Sequence, residues 1–204
     1  MKKHLILFLS GILTAYLSYG QEVAARIKQN GKWGAIDKTG KFFIEPKYEG
    51  LQQFNEGLAA VKLNGKWGYI NLKGNIIVPI ELSGAEPFSN GLAKVRSGDK
   101  FGYIDKTGKM VIAATLDKAG NFSNGLARVR TGDLWGYINT KGEMAIAPKF
   151  NAAQNFKEGL ALVKVQDKWG FIDTKGTLIV PATYAGMEVK PFAETSGSST
   201  EDND

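Results

Sequence analysis

Leu58-Ala-Ala-Val-Lys-Leu63, then Asn64-Gly65, then Lys66-Trp-Gly-Tyr-Ile70 sets an Asn-Gly dipeptide between two short β-prone runs. This is the strongest short-range signal for a hairpin closed by a two-residue primed turn. The same pattern recurs down the chain at a spacing of 34 residues, with Trp33-Gly34, Trp67-Gly68, Phe101-Gly102, Trp135-Gly136 and Trp169-Gly170 in phase. A fixed period of this length means stacked supersecondary units, none of which buries its apolar face alone.

The rest of the unit follows the same phase. Ile36, Ile70, Ile104, Ile138 and Ile172 fall three places after the aromatic, and Gly40, Gly74, Gly108, Gly142 and Gly176 seven places after it. At the first hairpin turn stand Asn30-Gly31, Asn64-Gly65, Gly98-Asp99, Gly132-Asp133 and Gln166-Asp167; the last lacks glycine and is the poorest match to a primed turn. A second turn runs from Asp37, Asn71, Asp105, Asn139 or Asp173 to the glycine three residues on, where an Asx side chain can bond its own backbone. A third short strand is expected at 42–44, 76–78, 110–112, 144–146 and 178–180. A connector of about a dozen residues then ends in Phe-x-x-Gly at Phe54, Phe88, Phe122 or Phe156 and leads into Gly-Leu-Ala-x-Val. Helical periodicity is absent beyond the N-terminal leader. The fold class is therefore all-β: tandem 34-residue three-stranded meanders in an open solenoid-like array, with a closed β-propeller as the alternative. Three strands are lean for a propeller blade, which favours the open array.

The ends differ in composition from the repeats. Met1-Lys2-Lys3-His4 precedes an apolar run from Leu5 to Leu17 and the small residues of Ser18-Tyr19-Gly20, the pattern of a cleavable signal peptide over 1–20. The run is too short and interrupted for a membrane-spanning helix. Export, to the periplasm or beyond the cell, is the resulting expectation, with no integral membrane segment after cleavage. Residues 21–193 make up the repeat domain, and 194–204 form a polar acidic tail expected to be disordered. Setting aside Lys2 and Lys3 with the leader, and Glu194, Glu201, Asp202 and Asp204 with the tail, raises the net charge from +6 to +8. Such a body is drawn to anionic surfaces through a salt-dependent field.

Chemistry is limited by what the chain lacks. Its one histidine, His4, lies in the leader, and it has no cysteine. A serine–histidine triad, a cysteine nucleophile and an imidazole metal site are thus excluded from the mature chain. No cofactor or metal is expected, and a carboxylate pair of the glycosidase type is the remaining route to hydrolysis. Asp37, Asp105 and Asp173 alternate with Asn71 and Asn139, a swap that an Asx turn survives and a catalytic acid does not. Glu45, Glu49, Glu81, Glu86, Asp117, Glu143 and Glu188 recur at no common place and read as solvated.

A hairpin closed at Asn64-Gly65 pairs Lys62 with Trp67 and Ala60 with Tyr69, and puts Ala59, Val61 and Ile70 on the opposite face. Carried to every unit, the pairing sets Lys28 against Trp33, Lys62 against Trp67, Arg96 against Phe101, Arg130 against Trp135 and Lys164 against Trp169. With Tyr69, Tyr103, Tyr137 and Phe171 these form a candidate ladder for stacking on sugar rings or gripping an anionic chain. The competing expectation is that Trp and Tyr pack beneath the neighbouring unit's connector, with Lys and Arg stems covering them. A residue that recurs in every unit is usually needed for each unit to fold, which favours the second expectation.

Lys66-Trp-Gly-Tyr-Ile-Asn71 and Phe54-Asn-Glu-Gly-Leu-Ala-Ala-Val61 resemble the consensus of the WG repeat family of bacterial proteins, and the likeness runs from residue 23 to about 184. Phe101 for Trp, Ala35 for Tyr and the missing or shifted proline near Ile80, Ala114 and Ala182 depart from it. The resemblance implies a β-repeat module generally taken to mediate binding. The leading expectation is an exported, non-enzymatic module for a protein partner or a cell-envelope glycan. A purely structural spacer is the alternative, a carboxylate-based glycan hydrolase a weaker one, and nucleic acid is not expected as a partner.

Overall fold

Each hairpin forms in the register its turn dictates. In the computed structural model, which describes residues 25–186, Lys62 lies opposite Trp67 and Ala59 opposite Ile70. The leader, the acidic tail and residues 21–24 and 187–193 of the repeat domain lie outside the described residues. Both Asn64 and Gly65 have positive φ (49° and 75°), as a type I′ turn requires. Gln166, in the turn without glycine, is nonetheless held at φ 52°.

Among the described residues five small antiparallel sheets follow one another along the chain. The first holds β1 (Ala25–Gln29), β2 (Lys32–Ile36) and β3 (Phe42–Tyr48). The second holds β4 (Gly50–Leu51), β5 (Leu58–Leu63), β6 (Lys66–Asn71) and β7 (Ile76–Leu82). The third holds β8 (Gly84–Ala85), β9 (Leu92–Ser97), β10 (Lys100–Asp105) and β11 (Met110–Leu116). The fourth holds β12 (Leu126–Thr131), β13 (Leu134–Asn139) and β14 (Met144–Phe150), and the fifth β15 (Ala152–Ala153), β16 (Leu160–Val165), β17 (Lys168–Asp173) and β18 (Leu178–Tyr184).

Two features go beyond the three-stranded meander. The preceding unit's connector adds a two-residue edge strand to the second, third and fifth sheets, as in Gly50↔Lys62 and Leu51↔Val61. In the fourth sheet the same place holds a single bridge, Ala119↔Val129. Secondly, the third strand continues four residues past its expected end by way of a bulge: Trp67 pairs with Leu82 and Tyr69 with Val78, so Gly68 alone faces three residues. A side chain at Gly68 would place its Cβ 2.6 Å from the Val78 carbonyl oxygen. The glycine after each aromatic is there for this close approach of backbone.

The second turn is built as expected. Oδ1 of Asp37 accepts from the N–H groups of Thr39 (2.8 Å) and Lys41 (3.1 Å), and Asn71 accepts from those of Lys73 (2.9 Å) and Asn75 (3.0 Å). Asp105, Asn139 and Asp173 repeat the pattern. The bond uses one oxygen that both side chains possess, which is why Asp and Asn interchange here.

The core lies between sheets. One apolar cluster joins Ala35, Ile44, Tyr48 and Leu51 of the first unit to Ala59, Val61 and Ile70 of the next. Three more clusters repeat the arrangement between the second and third, third and fourth, and fourth and fifth sheets. The aromatic-bearing face of each sheet thus packs on the Ala-Val-Ile face of its successor. Among the described residues the main strand contacts between sheets join only neighbours in sequence. The chain is an all-β array of tandem 34-residue repeats, without a closed barrel. Fully burying one Val or Ile is worth roughly 1.5–3 kcal/mol, against about 0.5–1 kcal/mol for an exposed cation–aromatic pair. Apolar packing between units, rather than the cation pairs, holds the array together.

Candidate functional site

The five expected cross-strand pairs all form: Lys28↔Trp33, Lys62↔Trp67, Arg96↔Phe101, Arg130↔Trp135 and Lys164↔Trp169. They do not build one continuous ladder. The face that carries them is the face covered by the next sheet, so each aromatic is set apart from the next by an intervening Ala-Val-Ile face. Trp33, Trp67, Phe101, Trp135 and Trp169 remain half-buried at the margins of these interfaces. Trp67 also lies over the backbone of the preceding connector, its ring 3.2 Å from where a Cβ on Gly50 would sit.

The tyrosines go deeper. Tyr69, Tyr103 and Tyr137 are fully buried, each with its ring against Phe88, Phe122 or Phe156 at centroid distances of 5.0, 4.8 and 4.9 Å. Their hydroxyls donate to the carbonyls of Glu86 (2.7 Å), Gly120 (2.6 Å) and Gln154 (2.8 Å). Burial pushes all three phenols well above the ordinary tyrosine range. These three are clamps on the connector and offer no ring face to a ligand. Phe171, at the equivalent place in the fifth sheet, is half-buried and has no hydroxyl to donate. In the first unit Ala35 removes the tyrosine, and Phe43 packs against Phe54 at 6.3 Å instead.

The cations divide. Nζ of Lys28 and of Lys62 lies 5.7 and 5.9 Å from the Trp33 and Trp67 ring centres, and the Arg96 guanidinium 6.0 Å from that of Phe101. Arg130 and Lys164 instead reach acids at their own turn tips, Asp133 (2.8 Å) and Asp167 (3.2 Å), as Arg96 also reaches Asp99 (2.7 Å).

A second set of cations was not picked out from the sequence. Arg26 and Lys94 donate to the connector carbonyls of Leu51 (2.7 Å) and Ala119 (3.2 Å), and Arg128 donates to that of Ala153. Each also lies over its unit's aromatic: Arg26 at 5.9 Å from the Trp33 centre, Lys94 at 5.4 Å from Phe101 and Arg128 at 5.0 Å from Trp135. Burial draws the Lys94 ammonium below the ordinary lysine range. In the second unit Ala60 takes this place, and Gln52 from the preceding connector donates to the Ala85 carbonyl at 3.2 Å. The readable signal was a cation two residues before Lys28, Arg96 and Arg130. Arg128 also lines a shallow depression with Gln154, Asn155, Phe156 and Lys157.

The irregular acids Glu49, Asp117 and Glu143 lie exposed, yet each is engaged by a neighbour. Glu49 accepts from the N–H groups of Asn64 (3.1 Å) and Gly65 (3.0 Å), so one unit's connector caps the next unit's turn. The Gly65 bond is the leading reason its carboxyl is held below the ordinary range. Glu143 accepts from the Asn139 amide at 2.8 Å, and Asp117 pairs with Lys100. Among the described residues no group of three or more potential ligands is placed to hold a metal, and no helix is long and apolar enough to cross a membrane.

A further hairpin turn closes each Phe-x-x-Gly segment. Asn55 and Leu58 exchange backbone bonds around Glu56-Gly57 (φ 52° and 90°), and Asn90-Gly91 and Asn124-Gly125, primed-turn dipeptides visible in the sequence, do the same. These tips are linked along the array. Glu56 accepts from Gly91 N–H (3.1 Å), Asn90 from Gly125 N–H (3.0 Å) and Asn124 from Gly159 N–H (3.3 Å).

Among solved structures the chain is similar to one described as a eukaryotic initiation factor, at 10% identity and a TM-score of 0.52, covering 80% of this chain and 53% of that one. It thus spans about half of that structure, and the likeness concerns the fold alone. Weaker likenesses include KlHsv2 with loop 6CD replaced by a Gly-Ser linker (10% identity, TM-score 0.46, 75% and 60% covered). Another is the computationally designed Ika4 protein (11% identity, TM-score 0.39, 60% and 88% covered). A search of curated proteins found no match. The model of the WG containing repeat matches five times in tandem, over 33–67, 67–101, 101–135, 135–169 and 169–194, in phase with the five sheets, and the chain belongs to this family.

Proposed function

We propose that this is an exported, non-enzymatic binding module that engages a protein partner or a cell-envelope glycan through the half-exposed aromatic and cationic margins of its sheets. One observation carries the reading: five aromatic side chains, one per sheet, stay half-exposed, each opposite a Lys or Arg. A half-covered indole beside a cation suits a sugar ring or an anionic group, whereas the deeper tyrosines serve the fold. The recurring carboxylates are each occupied in an Asx turn, which leaves them poorly placed for acid–base chemistry. Export rests on the composition of residues 1–20.

The test is retention of envelope polysaccharide and envelope proteins on the immobilised full-length chain. Beside it runs a quadruple variant, Lys62→Gln, Arg96→Gln, Arg130→Gln and Lys164→Gln, that leaves the aromatics and the core in place. The expected result is salt-sensitive retention by the wild type that the variant, still folded by circular dichroism, has lost. No retention, or equal retention by both proteins, overturns the reading.

A further inference from the structure

The four interfaces between sheets are four examples of one fit. The face bearing Tyr, Phe and the third-strand Ile or Val receives the successor's Ala-Val-Ile face. Among the described residues two such faces are left over. On the fifth sheet Tyr184 is 50% exposed, although the equivalent Tyr48 and Phe150 are each 1% exposed. Phe171 and Val180 beside it are half-buried, where Tyr69, Tyr103 and Tyr137 are fully enclosed. On the first sheet Ala25, Ile27 and Ile36 are half-buried, although Ala59, Val61 and Ile70, which take their places in the second sheet, are 1%, 0% and 0% exposed.

The edges match as well. In the second, third and fifth sheets a two-residue strand from the preceding unit pairs with the outer edge of the first hairpin strand. Among the described residues the corresponding edge of β1 has no partner. Gly186-Met187, after β18, stand in the sequence where β4, β8 and β15 stand in theirs.

We propose that the protein associates head to tail with a second copy of itself, the open face of its fifth sheet receiving the open Ala25-Ile27-Ile36 face of the partner's first sheet. The chain's own segment after β18 is the competing occupant of the fifth-sheet face, and its sequence lacks the two anchors that fix the other connectors. Lys190 stands where Phe88, Phe122 and Phe156 stand, and Phe171 brings no hydroxyl to donate. A second copy supplies what the internal interfaces supply, including the apolar face that fits. The contact joins two different faces, so it does not close as a two-fold dimer but propagates into chains or rings. Each added copy would extend the row of sheet margins.

The experiment is sedimentation velocity of the full-length protein over a wide concentration series, with Ile27→Lys to block one face and Tyr184→Lys to block the other. Thermal melts of each variant confirm folding. The wild type is expected to shift to species larger than a dimer as concentration rises, and each variant alone to stay monomeric. An equimolar mixture of the two variants keeps one intact face of each kind and is expected to give one-to-one dimers and nothing larger. A wild type that stays monomeric throughout overturns the proposal, whatever the variants do. So does a variant mixture that stays monomeric, or a wild type that stops at a dimer. Ligand retention by the sheet margins is read in a different assay, so the two proposals stand or fall separately.

Discussion

At the residue scale, the glycines of this chain serve two separate needs. Gly68 sits under a bulged strand, and a Cβ there would meet backbone on three sides: the Val78 and Pro79 carbonyl oxygens at 2.6 and 2.8 Å and the Ile80 Cα at 2.8 Å. Gly65 sits at an open turn tip with nothing within 4 Å, but at φ +75°. Gly68→Ala forces backbone apart in a packed sheet and is expected to cost about 3 kcal/mol. Gly65→Ala meets only the left-handed strain of an L-residue and is expected to cost about 1–2 kcal/mol. Urea unfolding of the two variants checks the order, and equal losses would refute the distinction between contact and conformation. The aromatic next to Gly68 was legible as a repeated residue. Its half-buried place was not, because alternation assigns a face without saying what lies on it.

At the element scale, the Asx turn links folding to acid. The Asp37 and Asp105 carboxyls are held below the ordinary range first by the hydroxyls of Thr39 and Thr107, and that of Asp173 first by the Thr177 N–H. A carboxylate whose pKa is lowered by folding stabilises the native state above its unfolded value, about 3.9. That contribution is lost as the pH falls from there through the lower folded value. Melting temperatures should therefore fall as the pH drops below about 4. The triple variant Asp37→Asn, Asp105→Asn, Asp173→Asn keeps the accepting oxygen and should flatten that part of the dependence. An unchanged acid profile in the triple variant would show that the turns do not contribute to it. The natural units with Asn71 and Asn139 already show that the turn forms without the charge.

At the scale of the whole molecule, stability is a sum over units and the interfaces between them. The second, third and fourth sheets are covered on both faces, while among the described residues nothing covers one face of the first and one face of the fifth. Hydrogen exchange of the monomer should be slowest in β6, β10 and β13 and fastest in β1 and β18, because the end units open without breaking two interfaces. Uniform protection from end to end would instead mean that the array unfolds as one block. Head-to-tail association would slow exchange in β1 and β18 together and only at high concentration.

The sequence by itself determined the period, the hairpin register, the Asx turns and the side of each strand that a residue occupies. These are local matters, decided by turn chemistry and by alternation within a few residues. The tertiary structure decided what covers each face. It made clamps of Tyr69, Tyr103 and Tyr137, put Arg26, Lys94 and Arg128 on connector carbonyls, and drew the third strand in over the glycine through a bulge. It also separated the aromatics into single margins. Those outcomes depend on how one sheet stacks on the next, and a pattern read along one strand carries no information about the strand that packs across it.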